Sequence, residues 1–365
     1  MQKIKALIVM ALLLAACGGN SGDGADAKSS AAKQKSYQWK MVTTWPKNFP
    51  GLGSAPENFA KLVARMSNGR LKIKVYGAGE VVPAMEVFSA VSSGTAEMGH
   101  SAAYYWKGKA PASVLFTAIP FGLNAQEMNG WLHYGGGLEL WRELYAPFNL
   151  VPFAGGSTGV QMAGWFNRDI QSLEDFKGLK MRIPGIGGEV FSRAGGTAVS
   201  MPGGEIFTSL QTGVIDAAEW VAPYNDLAFG FHNVAKYYYF PGWHEPGAML
   251  EFTVNKEAWQ SLPDDLQAII EGAARAINQD MLDEYTARNN AALIQLREKG
   301  VDIKSFPADV EEALRKFTDE VIAENVANDA MFAKVYASFD TFRKNVMEYH
   351  RISEQAYFEL RDANL

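Results

Sequence analysis

Three segments bring together residue types suited to holding a small organic anion. In Gly178-Leu-Lys-Met-Arg182-Ile-Pro184, a short strand would put Lys180 and Arg182 on one face and Met181 and Ile183 on the other. Pro184 and the glycine after it place Arg182 at the strand end. A guanidinium there can grip a carboxylate through two parallel hydrogen bonds. A solvent-facing arginine is the competing reading. In Gly213-Val-Ile-Asp216-Ala-Ala-Glu219-Trp220-Val-Ala-Pro223, an acid and a tryptophan follow an apolar run, as on a cleft wall. An acid repels an anionic ligand unless a cation lies between them. Na⁺ or Ca²⁺ would serve, since hard cations take carboxylate, amide and carbonyl oxygens. A loop acid paired with a lysine is the alternative. Trp243-His244-Glu245-Pro246-Gly247 sets a further acid in an aromatic turn, able to orient the ligand or to ligate the same cation.

Patterns for bond-making chemistry do not occur. The five histidines, at 100, 133, 232, 244 and 350, never take helical metal-ligand spacing, and His244-Glu245 lacks the second histidine of a zincin. There is no Walker loop and no GxGxxG after a strand. Gly155-Gly-Ser-Thr-Gly159 reads as a loop without the lysine of a phosphate loop. A net charge of −6 argues against nucleic acid as a partner. Cys17 is the sole cysteine, which excludes an internal disulfide or a thiolate cluster.

The elements that must position these residues follow from periodicity. Tyr37–Thr44 and Leu71–Tyr76 alternate as strands. Ala55–Ser67 and Pro83–Ser92 have helical spacing and end at Asn68-Gly69 and Ser93-Gly94. Alternating strands and helices indicate an α/β class. An internal echo supports two related lobes with a cleft between them. Pro83, Glu86, Phe88 and Gly94 recur as Pro202, Glu205, Phe207 and Gly213 at a constant offset of 119 residues. The last third is helical, over Pro263–Lys299 and from about 307 onward. Apolar residues recur every three or four positions from Val310 to Tyr349. A helix of that length would brace both lobes or pack on another subunit.

At the start, Lys3 and Lys5 precede the apolar run Ala6–Leu14 and then Ala15-Ala16-Cys17. Nine apolar residues are too few to span a bilayer, which needs about 20. The pattern is a secretory signal peptide over 1–16, with Cys17 placed as in the bacterial lipobox. Residues 17–36 have the Gly/Ser/Ala/Asp/Lys composition of a flexible tether. Residues 37–365 form the globular part.

The chain resembles the solute-binding proteins of tripartite ATP-independent periplasmic (TRAP) transporters, the DctP family. Ser172-Leu-Glu-Asp-Phe-Lys-Gly-Leu-Lys-Met-Arg182 and Met201-Pro-Gly-Gly-Glu205-Ile-Phe-Thr-Ser-Leu-Gln-Thr-Gly213-Val-Ile-Asp216 carry the resemblance. It implies a two-lobed periplasmic-binding-protein-like fold with an interlobe cleft and long C-terminal helices. It implies that Arg182 grips the ligand carboxylate. The finer likeness is to the subgroup that binds 2-oxoacids or lactate with a metal ion. That likeness implies Gln161, Glu219 and the Trp220 carbonyl as ligands of Na⁺ or Ca²⁺. It adds Glu245, Tyr104 and Tyr105 to the cleft wall. It also implies a homodimer through the long C-terminal helix, two membrane subunits as partners, and a periplasmic place with a lipid anchor at Cys17. Glu219-Trp220 departs from the sialic acid and dicarboxylate branches. Two other classes fit the same residues: a metal-assisted enzyme acting on 2-oxoacids, with His244 or Glu245 as base, and a ligand-sensing lipoprotein without transport.

Overall fold

The computed structural model describes residues 35–363. The expected signal peptide, Cys17 and all but the last two residues of the expected tether lie outside the described residues. Eleven strands are found among the described residues: β1 (Tyr37–Thr43), β2 (Leu71–Tyr76), β3 (Met98–Ser101), β4 (Leu150–Ser157), β5 (Gly164–Phe166), β6 (Lys180–Arg182), β7 (Thr197–Val199), β8 (Ala217–Ala218), β9 (Tyr237–Phe240), β10 (Met249–Asn255) and β11 (Asp302–Ser305). They form two sheets, ordered β2-β1-β3-β10-β4 and β11-β9-β5-β8-β6-β7. Each sheet with its covering helices is one lobe. The edge strand β2 exposes Lys72 and Lys74 and buries Leu71 and Val75, an arrangement that discourages pairing with another chain.

The echo is a structural repeat. In each lobe a short helical segment ends at a glycine with positive φ, 76° at Gly94 and 72° at Gly213. The chain then enters β3 or β8, and each of these pairs in parallel on one side and antiparallel on the other. The acid before each strand secures its parallel neighbour. Glu97 accepts from the Lys40 N–H at 2.7 Å, and Asp216 accepts from the Lys180 N–H at 2.9 Å.

The chain passes between lobes at 158–163, linking β4 to β5, and at 241–248, linking β9 to β10. The helix Asp264–Glu298 is a third link, packing on β4 of the first lobe and on the helix Pro223–Phe229 of the second. Its buried residues Leu266, Ile270, Ala273, Ile277, Met281 and Tyr285 recur every three or four positions, as the amphipathic pattern requires.

Two sequence expectations change. The long helix from about 307 is two helices, Ala308–Asn328 and Ala330–Ile352. Asp329 leaves helical geometry and caps the second helix by accepting from the Phe332 N–H at 2.6 Å. Aspartate is a strong N-cap, so the break costs little and the apolar spacing resumes at once. The first helix packs on the helix Gly185–Arg193 of the second lobe, and the second on helices of the first, so together they brace both. Gly155-Gly156-Ser157 is not loop but the end of β4, beside a register shift between Leu250 and Glu251 of β10.

Each lobe also buries one acid held by a tryptophan and a tyrosine. Glu251 accepts from Trp106 Nε1 at 2.5 Å and Tyr145 Oη at 2.8 Å. Asp226 accepts from Trp165 Nε1 at 3.0 Å, Tyr238 Oη at 2.7 Å and the Val221 N–H at 3.2 Å. Burial, opposed by these donors, pushes both carboxyls up to about 7. An acid whose pKa is higher folded than unfolded binds its proton more tightly when folded. Stability is then lost as pH rises from about 4 to about 7, by about 3–4 kcal/mol per group at most. The thermal midpoint is expected to fall between pH 5 and 8. Glu251→Gln, which keeps the shape and removes the titration, is expected to flatten that slope in thermal melts across the same range.

Candidate functional site

Strand register brings the site together. In β6 and β8, Arg182 pairs with Ala218, so the next residue, Glu219, meets the arginine, and the Glu219 N–H bonds the Arg182 carbonyl at 3.1 Å. Gln161 lies on the first interlobe crossing, and His244 and Glu245 on the second. Tyr104 and Tyr105 sit on the turn Ala103–Trp106 that follows β3 in the first lobe. Two lobes and two crossings therefore meet at one point.

Arg182 is fully buried, which removes the solvent-facing reading, whereas Lys180 two residues earlier is exposed. It is also not free. Nη1 donates to the Glu219 carbonyl at 3.0 Å and to Glu219 Oε1, Nη2 donates to Tyr105 Oη at 3.0 Å, and Nε donates to the Met201 carbonyl at 3.4 Å. Its guanidinium lies 5.1 Å from the Trp220 ring centre. Burial, the largest single influence, works against the charge, but Glu219 together with Tyr105, Tyr104 and Glu245 outweighs it and holds the guanidinium pKa above its ordinary value. Trp220 can lie this close only because residue 203 is glycine, where a Cβ would come 2.2 Å from the ring.

Glu245 accepts from Gln161 Nε2 at 2.8 Å. Burial, with the neighbouring Glu219 charge, pushes the Glu245 carboxyl well above the usual range, against Arg182 and Gln161. His244 is 2% exposed, and its Nε2 lies 3.3 Å from Glu219 Oε2 without hydrogen-bond geometry. Glu219 Oε2, Gln161 Oε1 and both ring nitrogens of His244 are buried without a hydrogen-bond partner. Buried polar atoms are rarely left so, and a cluster of them points to a missing partner. One donor atom each from Glu219, His244 and Glu245 lie within 4.8 Å of one another. The amide and carboxylate oxygens of Gln161 and Glu219 fit a hard cation, and a histidine nitrogen fits an organic anion better.

The aromatic wall is Tyr104 against Tyr105, ring centres 4.7 Å apart. Burial raises the pKa of both hydroxyls, that of Tyr104 most strongly. Trp45 closes the wall, with its ring centre 6.1 Å from Trp220 and 6.2 Å from Tyr105. His100 Nδ1 accepts its indole N–H at 2.8 Å. A cleft of about 640 Å³, lined by Tyr104, Tyr105, Ile183 and Gly185, opens beside this centre.

All seven residues expected from the sequence, Arg182, Gln161, Glu219, Trp220, Glu245, Tyr104 and Tyr105, lie at this junction. Trp45 was missed. Nothing local marks Trp45, which acts from a loop far away in sequence. His244 was weighed only as a base. An aromatic-His-acid turn next to a crossing was its one signal.

Residues 41–329 match the family described as bacterial extracellular solute-binding protein, family 7 (DctP). The chain belongs to this family. A monocarboxylate 2-oxoacid-binding periplasmic protein of Nostoc sp. is 44% identical over 332 residues, 91% of each chain. A TRAP periplasmic solute-binding protein from Pseudoalteromonas atlantica, solved with bound sodium and pyruvate, is 44% identical and superposes with a TM-score of 0.87, covering 89% of this chain and 99% of that one. A TRAP transporter solute-binding protein from Bordetella bronchiseptica is 38% identical with a TM-score of 0.89, covering 90% of this chain and 98% of that one. It was solved as a mixed-occupancy dimer with calcium and picolinate in one site. This solute-binding protein is accordingly a periplasmic receptor and not an enzyme.

Proposed function

We propose that this solute-binding protein captures a small monocarboxylate, either a 2-oxoacid such as pyruvate or the 2-hydroxyacid lactate, together with Na⁺ or Ca²⁺, and delivers it to TRAP membrane subunits. The observation that carries the reading is the set of orphaned polar atoms on Gln161, Glu219 and His244 around a fully buried arginine. Gln161, Glu219 and the Trp220 carbonyl would hold the cation, which supplies positive charge to the ligand oxygens. Arg182 would grip the carboxylate, with Tyr104, Tyr105, Trp220 and Glu245 around it. Glu219 Oε1 now occupies Arg182 Nη1 as a stand-in for that carboxylate. Drawing Glu219 toward a cation frees the arginine, which explains why anion and cation would bind together. No bond is made or broken, so no base is needed.

His244 would donate to a ligand oxygen. His244→Phe is expected to weaken pyruvate binding by roughly tenfold, the cost of one hydrogen bond to a charged group. His244→Gln is expected to recover part of the loss in the same titration.

The finer features belong to this reading too. Residues 1–16 would be cleaved, Cys17 lipidated and 17–36 would tether the globular part of 37–365 to a membrane. Two copies would associate through the C-terminal helices. Ile352, Tyr357, Phe358 and Leu360 are 79%, 60%, 49% and 75% exposed there, an apolar surface that monomers rarely leave uncovered. The deciding experiment is calorimetric titration of the fragment from Ser36 with pyruvate, 2-oxobutyrate, lactate, succinate and sialic acid, each with Na⁺ or Ca²⁺. Tight binding of the monocarboxylates is expected. Preference for succinate or sialic acid would overturn the ligand assignment.

A further inference from the structure

Besides the contacts of the buried centre, one ion pair joins the two lobes across the cleft mouth. Lys107 directly follows the turn Ala103–Trp106 of the first lobe. Glu189 lies on the helix Gly185–Arg193, which starts three residues after Arg182 in the second. Lys107 Nζ donates to Glu189 Oε1. Among the described residues no other Lys or Arg pairs with a carboxylate between the Tyr104–Tyr105 wall and the lobe that carries Arg182. Asn325, on the bracing helix Ala308–Asn328, donates to Glu189 Oε2 at 3.4 Å. Two of the polar cross-cleft contacts come from neighbouring residues of the first lobe: Arg182 to Tyr105 inside, and Lys107 to Glu189 outside. The outer side chains are 34% and 32% exposed, so water and salt reach them. Both line the cleft of about 640 Å³ that leads in to Tyr104 and Tyr105.

We propose that Lys107 and Glu189 are positioning residues that latch the lobes shut and set the residence time of the ligand. A partly exposed pair holds weakly, and salt screens it. Such a contact suits a receptor that must keep its ligand in transit and yet release it. A contact made as the lobes close, with or without ligand, acts mainly on dissociation, not on association. The ligand half of this inference rests on the proposed 2-oxoacid site. The closure half does not.

The test uses Lys107→Gln, Glu189→Gln and the charge swap Lys107→Glu with Glu189→Lys. Release of pyruvate in the presence of Ca²⁺ is followed by stopped-flow tryptophan fluorescence, and lobe opening of the ligand-free protein by small-angle scattering. Each single variant is expected to release pyruvate roughly fivefold faster, with its association rate unchanged. The swap is expected to return release to near the wild-type rate. Rising salt is expected to speed release from the wild type and to have little effect on the singles. Ligand-free single variants are expected to show a larger radius of gyration than the wild type and the swap. Wild-type release and scattering in both singles would overturn the latch. Faster release that the swap leaves uncorrected would overturn it as a pair. If the wild type binds no 2-oxoacid, the ligand reading fails, and the scattering comparison alone still decides the latch.

Discussion

Arg182→Ala is expected to weaken pyruvate binding about a thousandfold, close to 4 kcal/mol, because it removes the one arginine or lysine that is buried among the described residues and that would face the ligand carboxylate. The loss extends to the fold. If Arg182 stood on an open cleft wall, it could be removed with the fold intact. In the structure it is fully buried and paired with Glu219, also fully buried. Removing one partner strands the other, at a cost of about 3–5 kcal/mol for a buried pair. The ligand-free variant should therefore melt at a lower temperature. Arg182→Ala with Glu219→Gln should recover stability without recovering binding. Thermal melts and calorimetric titration of the wild type and both variants separate the two effects. Pyruvate binding by Arg182→Ala within tenfold of the wild type would remove Arg182 as the clamp. A wild-type melting temperature would show that the pair opens to water in the ligand-free protein.

The cation is expected to have the second-largest effect. In Na⁺-free buffer with a calcium chelator, pyruvate affinity should fall about a hundredfold or more. Glu219 then stays on Arg182, where it competes with the incoming carboxylate and repels it. Glu219→Gln should bind pyruvate weakly and show little response to the cation, because the variant has neither the competing charge nor the cation's anionic ligand. Isothermal titration with and without Ca²⁺ measures both. A Glu219→Gln variant that keeps the wild-type response to Ca²⁺ would take the cation away from this residue.

Much of this was legible in the residues because the signals are local. Strand alternation in β1 and β2, the helix ending at Asn68-Gly69 and the long helix after Pro263 follow from short-range pattern. The repeat linking Pro83–Gly94 to Pro202–Gly213 predicted two related lobes and correctly marked the glycines with positive φ. The break at Asp329 was missed because an N-cap can interrupt a helix without interrupting its apolar period. Gly155–Ser157 was misread because glycine signals a loop unless tertiary packing holds it in a sheet.

By itself, the sequence determined the α/β class, the order of the elements, and which residue types could meet an anion and a cation. Those properties depend on neighbours a few positions apart, where steric and hydrogen-bond preferences act directly. Only the tertiary structure decided which of those residues are neighbours in space. The Arg182–Ala218 register put Glu219 against the arginine, the second crossing brought in His244, and a loop near the start of the first lobe supplied Trp45. It also decided charge state and pairing. Desolvation raises Glu245, Glu251 and Asp226 and joins Arg182 to Glu219, and desolvation is a property of what closes around a group, not of the residues beside it in the chain.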